Sequence, residues 1–105
     1  MGSNGFLSKM IAGLSRTGEG KPGTPRIDYP QMGEKVARGH YAIRISGCAG
    51  ECQAAIDGGD WQPCRCADGY CWYDWCPTEA GEHRISVRAR VGDSWVTTNR
   101  TRRVV

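Results

Sequence analysis

From Val36 onward, apolar and polar residues alternate with the two-residue period of strands that turn one face to a core. Over residues 40–46, Tyr41, Ile43 and Ile45 align on one side, and over 52–56 Cys52, Ala54 and Ile56 do the same. Residues 61–66 and 70–76 read as two further strands. The clearest run is 83–91, where Ile85, Val87, Ala89 and Val91 face one way and Arg84, Ser86, Arg88 and Arg90 the other. A last strand is expected over 95–103. Asp57-Gly58-Gly59-Asp60 and Asp68-Gly69 are hairpin signals, because glycine supplies the positive φ that primed turns require. Roughly six or seven short strands with frequent turn signals predict an all-β, antiparallel sandwich.

Upstream the pattern changes. Residues 6–14 place Phe6, Leu7, Met10, Ile11 and Leu14 on one helical stripe, which predicts a short amphipathic helix, marginal in isolation. Residues 15–35 read as a linker punctuated by Gly and Pro, with Gln31-Met32-Gly33-Glu34 a turn before the first strand. The boundary is set near Pro25, giving a flexible arm over 1–25 and a β domain over 26–105.

A chain of 105 residues suits one domain. Its 39% hydrophobic and 24% charged residues exclude a mainly disordered chain. No apolar run approaches the ~20 residues of a bilayer-spanning helix. The apolar stretch near the start carries Lys9, so no secretory signal is read and a cytoplasmic location is expected. The net charge of +3 is too small to argue for nucleic acid. The charge is segregated: residues 48–83 set Arg65 against seven carboxylates, while 84–105 set six arginines against Asp93.

The segments Ala54-Ala55-Ile56-Asp57-Gly58-Gly59-Asp60-Trp61-Gln62, Tyr73-Asp74-Trp75 and Ala80-Gly81-Glu82-His83-Arg84-Ile85-Ser86-Val87-Arg88-Ala89-Arg90 carry a resemblance. Residues 26–105 resemble bacterial immunoglobulin-like, early-set domains and are similar to the C-terminal domain of sulfite-oxidase-type enzymes. The resemblance implies an immunoglobulin-like β-sandwich and little about function, since such folds serve many roles. Cys52 and Cys71 stand where that family has aliphatic or aromatic residues. No molybdenum-cofactor domain is present, so no oxidase activity is implied.

The cysteines are spaced Cys48-x3-Cys52-x11-Cys64-x-Cys66-x4-Cys71-x4-Cys76. If Asp68-Gly69 is a two-residue turn, Cys66 opposes Cys71, and Cys64 points to the same face as Cys66. Directly opposed residues are close enough for a disulfide or for two ligands of one metal. Three readings stay open. The six thiols are structural, as disulfides or buried groups; or Cys64, Cys66, Cys71 and one of Cys48, Cys52 or Cys76 bind zinc or an iron–sulfur cluster; or the thiols are redox-active. The nearby carboxylates oppose thiolate formation, a logic that a bound cation reverses.

Trp72, Tyr73 and Trp75 form an aromatic strand whose outward members suit a sugar or a protein partner. Arg84, Arg88 and Arg90 share a second candidate face. His40 and His83 begin strands, where a lone histidine is ordinarily solvated. Asp57 and Asp60 are expected to bond local turn backbone. No nucleophile elbow or phosphate loop appears, so the expected function is a non-catalytic module binding a protein or glycan. The alternative is a cysteine-based metal or redox protein.

Overall fold

The computed structural model describes residues 23–105. The helix expected at 6–14 and most of the expected arm lie outside the described residues. Nine strands and no helix occur among them: β1 (Arg26–Tyr29), β2 (Lys35–Val36), β3 (Tyr41–Ser46), β4 (Cys52–Ile56), β5 (Gln62–Pro63), β6 (Arg65–Ala67), β7 (Tyr70–Trp75), β8 (Gly81–Val91) and β9 (Ser94–Val104). They make a five-stranded sheet in the order β2-β9-β8-β4-β5 and a four-stranded sheet in the order β1-β3-β7-β6. The pairings are antiparallel except β2 with β9, which is parallel. No described helix is long and apolar enough to cross a membrane.

Strand alternation builds the core. Ile43 and Ile45 of β3 and Cys71 and Trp75 of β7 come from the four-stranded sheet; Cys52 and Ala54 of β4, Ile85 and Val87 of β8 and Val104 of β9 come from the other. Together with Val36 they form one buried cluster, so each sheet supplies the apolar cover of its partner.

Two expectations need correction. First, the linker read over 15–35 contains β1 and the first residue of β2. Pro25 and Pro30 flank β1 instead of breaking it, as proline can at strand ends. Both prolines are buried, and each carbonyl accepts a long-range bond: Thr98 Oγ1 donates to Pro25 at 2.7 Å and Arg102 Nε to Pro30 at 2.7 Å. Second, the single strand expected over 61–66 is two strands in different sheets, β5 and β6, parted at Cys64. Arg102, on β9, is itself buried at 8% exposure.

Candidate functional site

Five of the six cysteines meet where the chain passes between the sheets. The Asp68-Gly69 turn fixes one end. Asp68 and Gly69 have φ of 54° and 83°, the left-handed pair of a type I′ hairpin. Ala67 therefore pairs with Tyr70 and Cys66 with Cys71, the register read from the sequence. Cys66 and Cys71 are joined by a disulfide. Cys71 points inward and is 4% exposed, whereas Cys66 lies exposed on the edge strand.

Cys52 approaches from the other sheet. It opens β4 opposite Ala89 of β8 and is 2% exposed. Cys48 follows β3 through Gly47, whose φ is +82° and whose missing Cβ would come within 2.7 Å of the Thr24 carbonyl. A side chain at Gly47 would push this loop, and Cys48 with it, off its seat. The sulfurs of Cys48, Cys52 and Cys71 lie within 4.8 Å of one another. Cys64, at the switch between sheets, donates its N–H to the Cys52 carbonyl at 3.0 Å.

The free thiols influence one another in pairs, Cys48 with Cys52 and Cys52 with Cys64. The bond to Cys52, then burial, hold the Cys48 thiol far above its ordinary value. At Cys52 the bond from Cys48 favours the thiolate, but the bond to Cys64 and burial outweigh it, pushing the pKa up to about 12. Among the carboxylates expected to do this, two are engaged elsewhere, while Asp28 adds a smaller upward push at Cys48. Asp74 is held down at about 2 by Arg65 and His40, and Asp57 faces His83. An open groove lined by Cys48, Cys66, Cys71, Gly69 and Tyr70 leads from solvent to the cluster.

Cys76 is not part of this group. It is exposed and shares a small pocket with Asp57, Trp75 and His83. His83 Nδ1–H donates to Asp57 Oδ2 at 2.6 Å, and Nε2–H donates to the Glu79 carbonyl at 2.8 Å. Two acceptors on one imidazole favour its cation, and the Asp57 bond, then the Glu79 bond, raise its pKa. When both nitrogens donate, His83 has no lone pair to offer Cys76. The expectation that Asp57 serves only its own turn is corrected: its carboxylate also accepts the Arg84 N–H at 2.8 Å, fastening the turn to β8.

The expected binding residues divide. Trp75 is core at 5% exposure and Tyr73 packs against the same core. Period-two alternation places both opposite inward residues of β3, Tyr41 and Ile43. Trp75 is therefore enclosed, while Tyr73 is half-buried on the inner side of β7 and Trp72 half-buried on its outer side. Trp72 faces outward beside Tyr70, with Arg65 over its ring at 5.5 Å. Arg44 lies over Tyr70 and Tyr29 at 4.3 and 4.9 Å. Arg84, Arg88 and Arg90 share the outward face of the five-stranded sheet, as expected. Arg88 sits between Trp61 and Trp95, 4.3 and 4.2 Å from their ring centres, and also donates to Gln53 Oε1. Arg90 lies 5.1 Å from Trp95. Sequence reasoning did not single out Trp95, although its position opposite Arg90 follows from the Gly92-Asp93 turn.

Comparison with known proteins finds no matching family model and no matching curated protein. Among solved structures, the chain is similar to part of the X-ray structure of the endo-beta-1,4-mannanase from Thermotoga petrophila, with a TM-score of 0.66 and 14% identity. The match covers 85% of this chain and 21% of that one, so the chain spans about a fifth of that structure's length. At this identity the likeness concerns the fold alone.

Proposed function

We propose that this chain is a non-catalytic, immunoglobulin-like β module whose working part is the sulfur cluster. In the reduced protein that cluster holds a zinc ion through Cys48, Cys52, Cys64 and Cys71. The observation that carries this reading is the meeting of three sulfurs within 4.8 Å, with Cys64 tied beside them by its N–H bond to the Cys52 carbonyl. Four converging thiolates are the ordinary donor set of a structural zinc site. Of the free thiols, Cys52 is buried and Cys48 and Cys64 are half-buried. A dication would replace their protons and remove the cost that keeps them neutral. A cytoplasmic setting, the compartment suggested by the sequence, keeps such thiols reduced.

The test is a zinc titration of the fully reduced chain, read by native mass spectrometry. One zinc per chain is expected, lost on denaturation and lost in Cys48→Ser and Cys52→Ser. Cobalt in its place should give the thiolate charge-transfer bands of a tetrahedral site. A reduced chain that takes up no metal would sink the reading.

A second, compatible reading rests on Arg88 held between Trp61 and Trp95. That outward face, with Arg84 and Arg90, is cationic and aromatic at once, a combination suited to an acidic glycan. Arg88→Ala and Trp95→Ala should each weaken binding to an immobilised anionic polysaccharide; equal retention of both variants and the parent chain would remove this reading.

A further inference from the structure

We infer that the Cys66–Cys71 disulfide is a redox gate on the metal site, an inference that rests on the zinc reading above. Cys71 belongs to two groups at once. Its sulfur is one of the three within 4.8 Å, and it is bonded to Cys66. A sulfur in a disulfide has no thiolate charge to give a metal, so the two roles exclude each other. The disulfide therefore removes a donor from the set and leaves only Cys48, Cys52 and Cys64 free.

Cys66 is placed to act on Cys71 without joining the site. It lies on a three-residue strand at the edge of its sheet, is exposed, and lines the groove that opens onto the cluster. Its sulfur is not one of the three that converge. A ligand that is 4% exposed is thus paired with a partner that solvent reaches directly. The tight Asp68-Gly69 turn keeps the partners opposed in register, so re-closure needs no rearrangement of the chain.

The chemistry balances with a small-molecule thiol as reductant. Two equivalents cleave the Cys66–Cys71 bond through a mixed disulfide, first at the exposed Cys66 sulfur. The sulfur of Cys71 leaves as a thiolate and is protonated. The products are two cysteine thiols and one small-molecule disulfide. Zinc then replaces four protons, one each from Cys48, Cys52, Cys64 and Cys71, and Cys66 stays a free thiol. In the reverse direction a small-molecule disulfide takes the electron pair from Cys66 and Cys71. The metal leaves, and the other three sulfurs regain protons.

The experiment compares zinc affinity in three samples under anaerobic conditions: the parent chain with the disulfide verified by alkylation and mass, the same chain reduced and freed of reductant, and Cys66→Ser reduced and treated identically. The disulfide form should bind zinc more weakly than the reduced form by over about 100-fold, beyond what loss of an outer partner costs. Cys66→Ser should match the reduced parent, and a small-molecule disulfide should expel zinc from the parent faster than from Cys66→Ser. Equal affinity of the disulfide and reduced forms would overturn the gate while leaving a zinc site. Loss of binding in Cys66→Ser alone would make Cys66 a ligand and overturn the gate differently. Absence of zinc from every form would overturn the underlying reading itself.

Discussion

Asp57-Gly58 and Asp68-Gly69 are one backbone device used twice. The φ values are 53° and 75° at the first and 54° and 83° at the second. Yet the second closes a tight hairpin with Ala67 opposite Tyr70, while beyond the first the strands pair only at Ala54 with Gln62 and Gln53 with Pro63. The first turn spreads because Asp57 is engaged by a third strand, through His83 and the Arg84 N–H. The second stays narrow and brings two sulfurs together. Identical turn chemistry sets local direction; the residues that flank it decide whether the turn becomes a brace or a reactive centre.

The largest expected effect tests whether the two turns rest on one core. Ile85→Ala, beside the first, and Ile45→Ala, opposite Cys71, each remove a fully buried side chain. Each should cost about 2–5 kcal/mol in urea denaturation. Only Ile45→Ala should also speed alkylation of reduced Cys71, because its cavity adjoins that sulfur; equal speeding by Ile85→Ala would dissolve the distinction.

Next is the covalent link itself. The Cys66–Cys71 bond spans a sequence separation of five, so its reduction in metal-free protein should cost about 2 kcal/mol on the chain-entropy account. A thermal melt with and without reductant reads this directly. Zinc at about 100 times its dissociation constant should return ~2.7 kcal/mol to the reduced form. A reduced protein that zinc does not stabilise would break the contrast between brace and reactive centre.

The ionic brace is smaller and has a sign. His83 is raised from 6.5, so its share of stability is full below that pH and is lost as pH rises through the raised value. At Asp57, burial is the largest influence and pushes upward, but the His83 bond, the Arg84 N–H bond and the charges of both residues together outweigh it, lowering the carboxyl from 3.8. Its share is full above 3.8 and is lost as pH falls through the lowered value. The pair should therefore contribute most between 3.8 and 6.5. Asp57→Asn should flatten that window by under about 1 kcal/mol, since both groups remain partly exposed; an unchanged pH profile would remove the brace.

The smallest effect lies on a face remote from both roles. Arg88→Lys keeps the charge but not the planar stack, and should cost about 0.5–1 kcal/mol with a shift in tryptophan fluorescence. It should leave thiol reactivity unchanged.

The strands from 41 to 56 and 70 to 104 were legible because their alternation and turn residues are local signals. The Cys66–Cys71 pairing was legible for the same reason, since a two-residue turn fixes register. The β1 strand was not: its Gly- and Pro-rich surroundings read as a linker, and its anchors, Thr98 and Arg102, lie 72 or 73 residues away. Cys64 was expected to join Cys66 and Cys71 on one hairpin face. The change of sheet at Cys64 sends it to Cys52 instead, and no local pattern announces such a crossing. Trp75 and Tyr73 were placed among binding residues because alternation alone does not say which face of a strand is inside.

The change of sheet at Cys64 also has a mechanical meaning. Residues 62–67 run from the edge of one sheet to the edge of the other, so that segment is a strap stitched across the seam of the molecule. The sulfurs lie on the line along which the sheets would part under load. A metal held there would clasp the two sheets, whereas the Cys66–Cys71 disulfide fastens the end of the strap to β7 within one sheet.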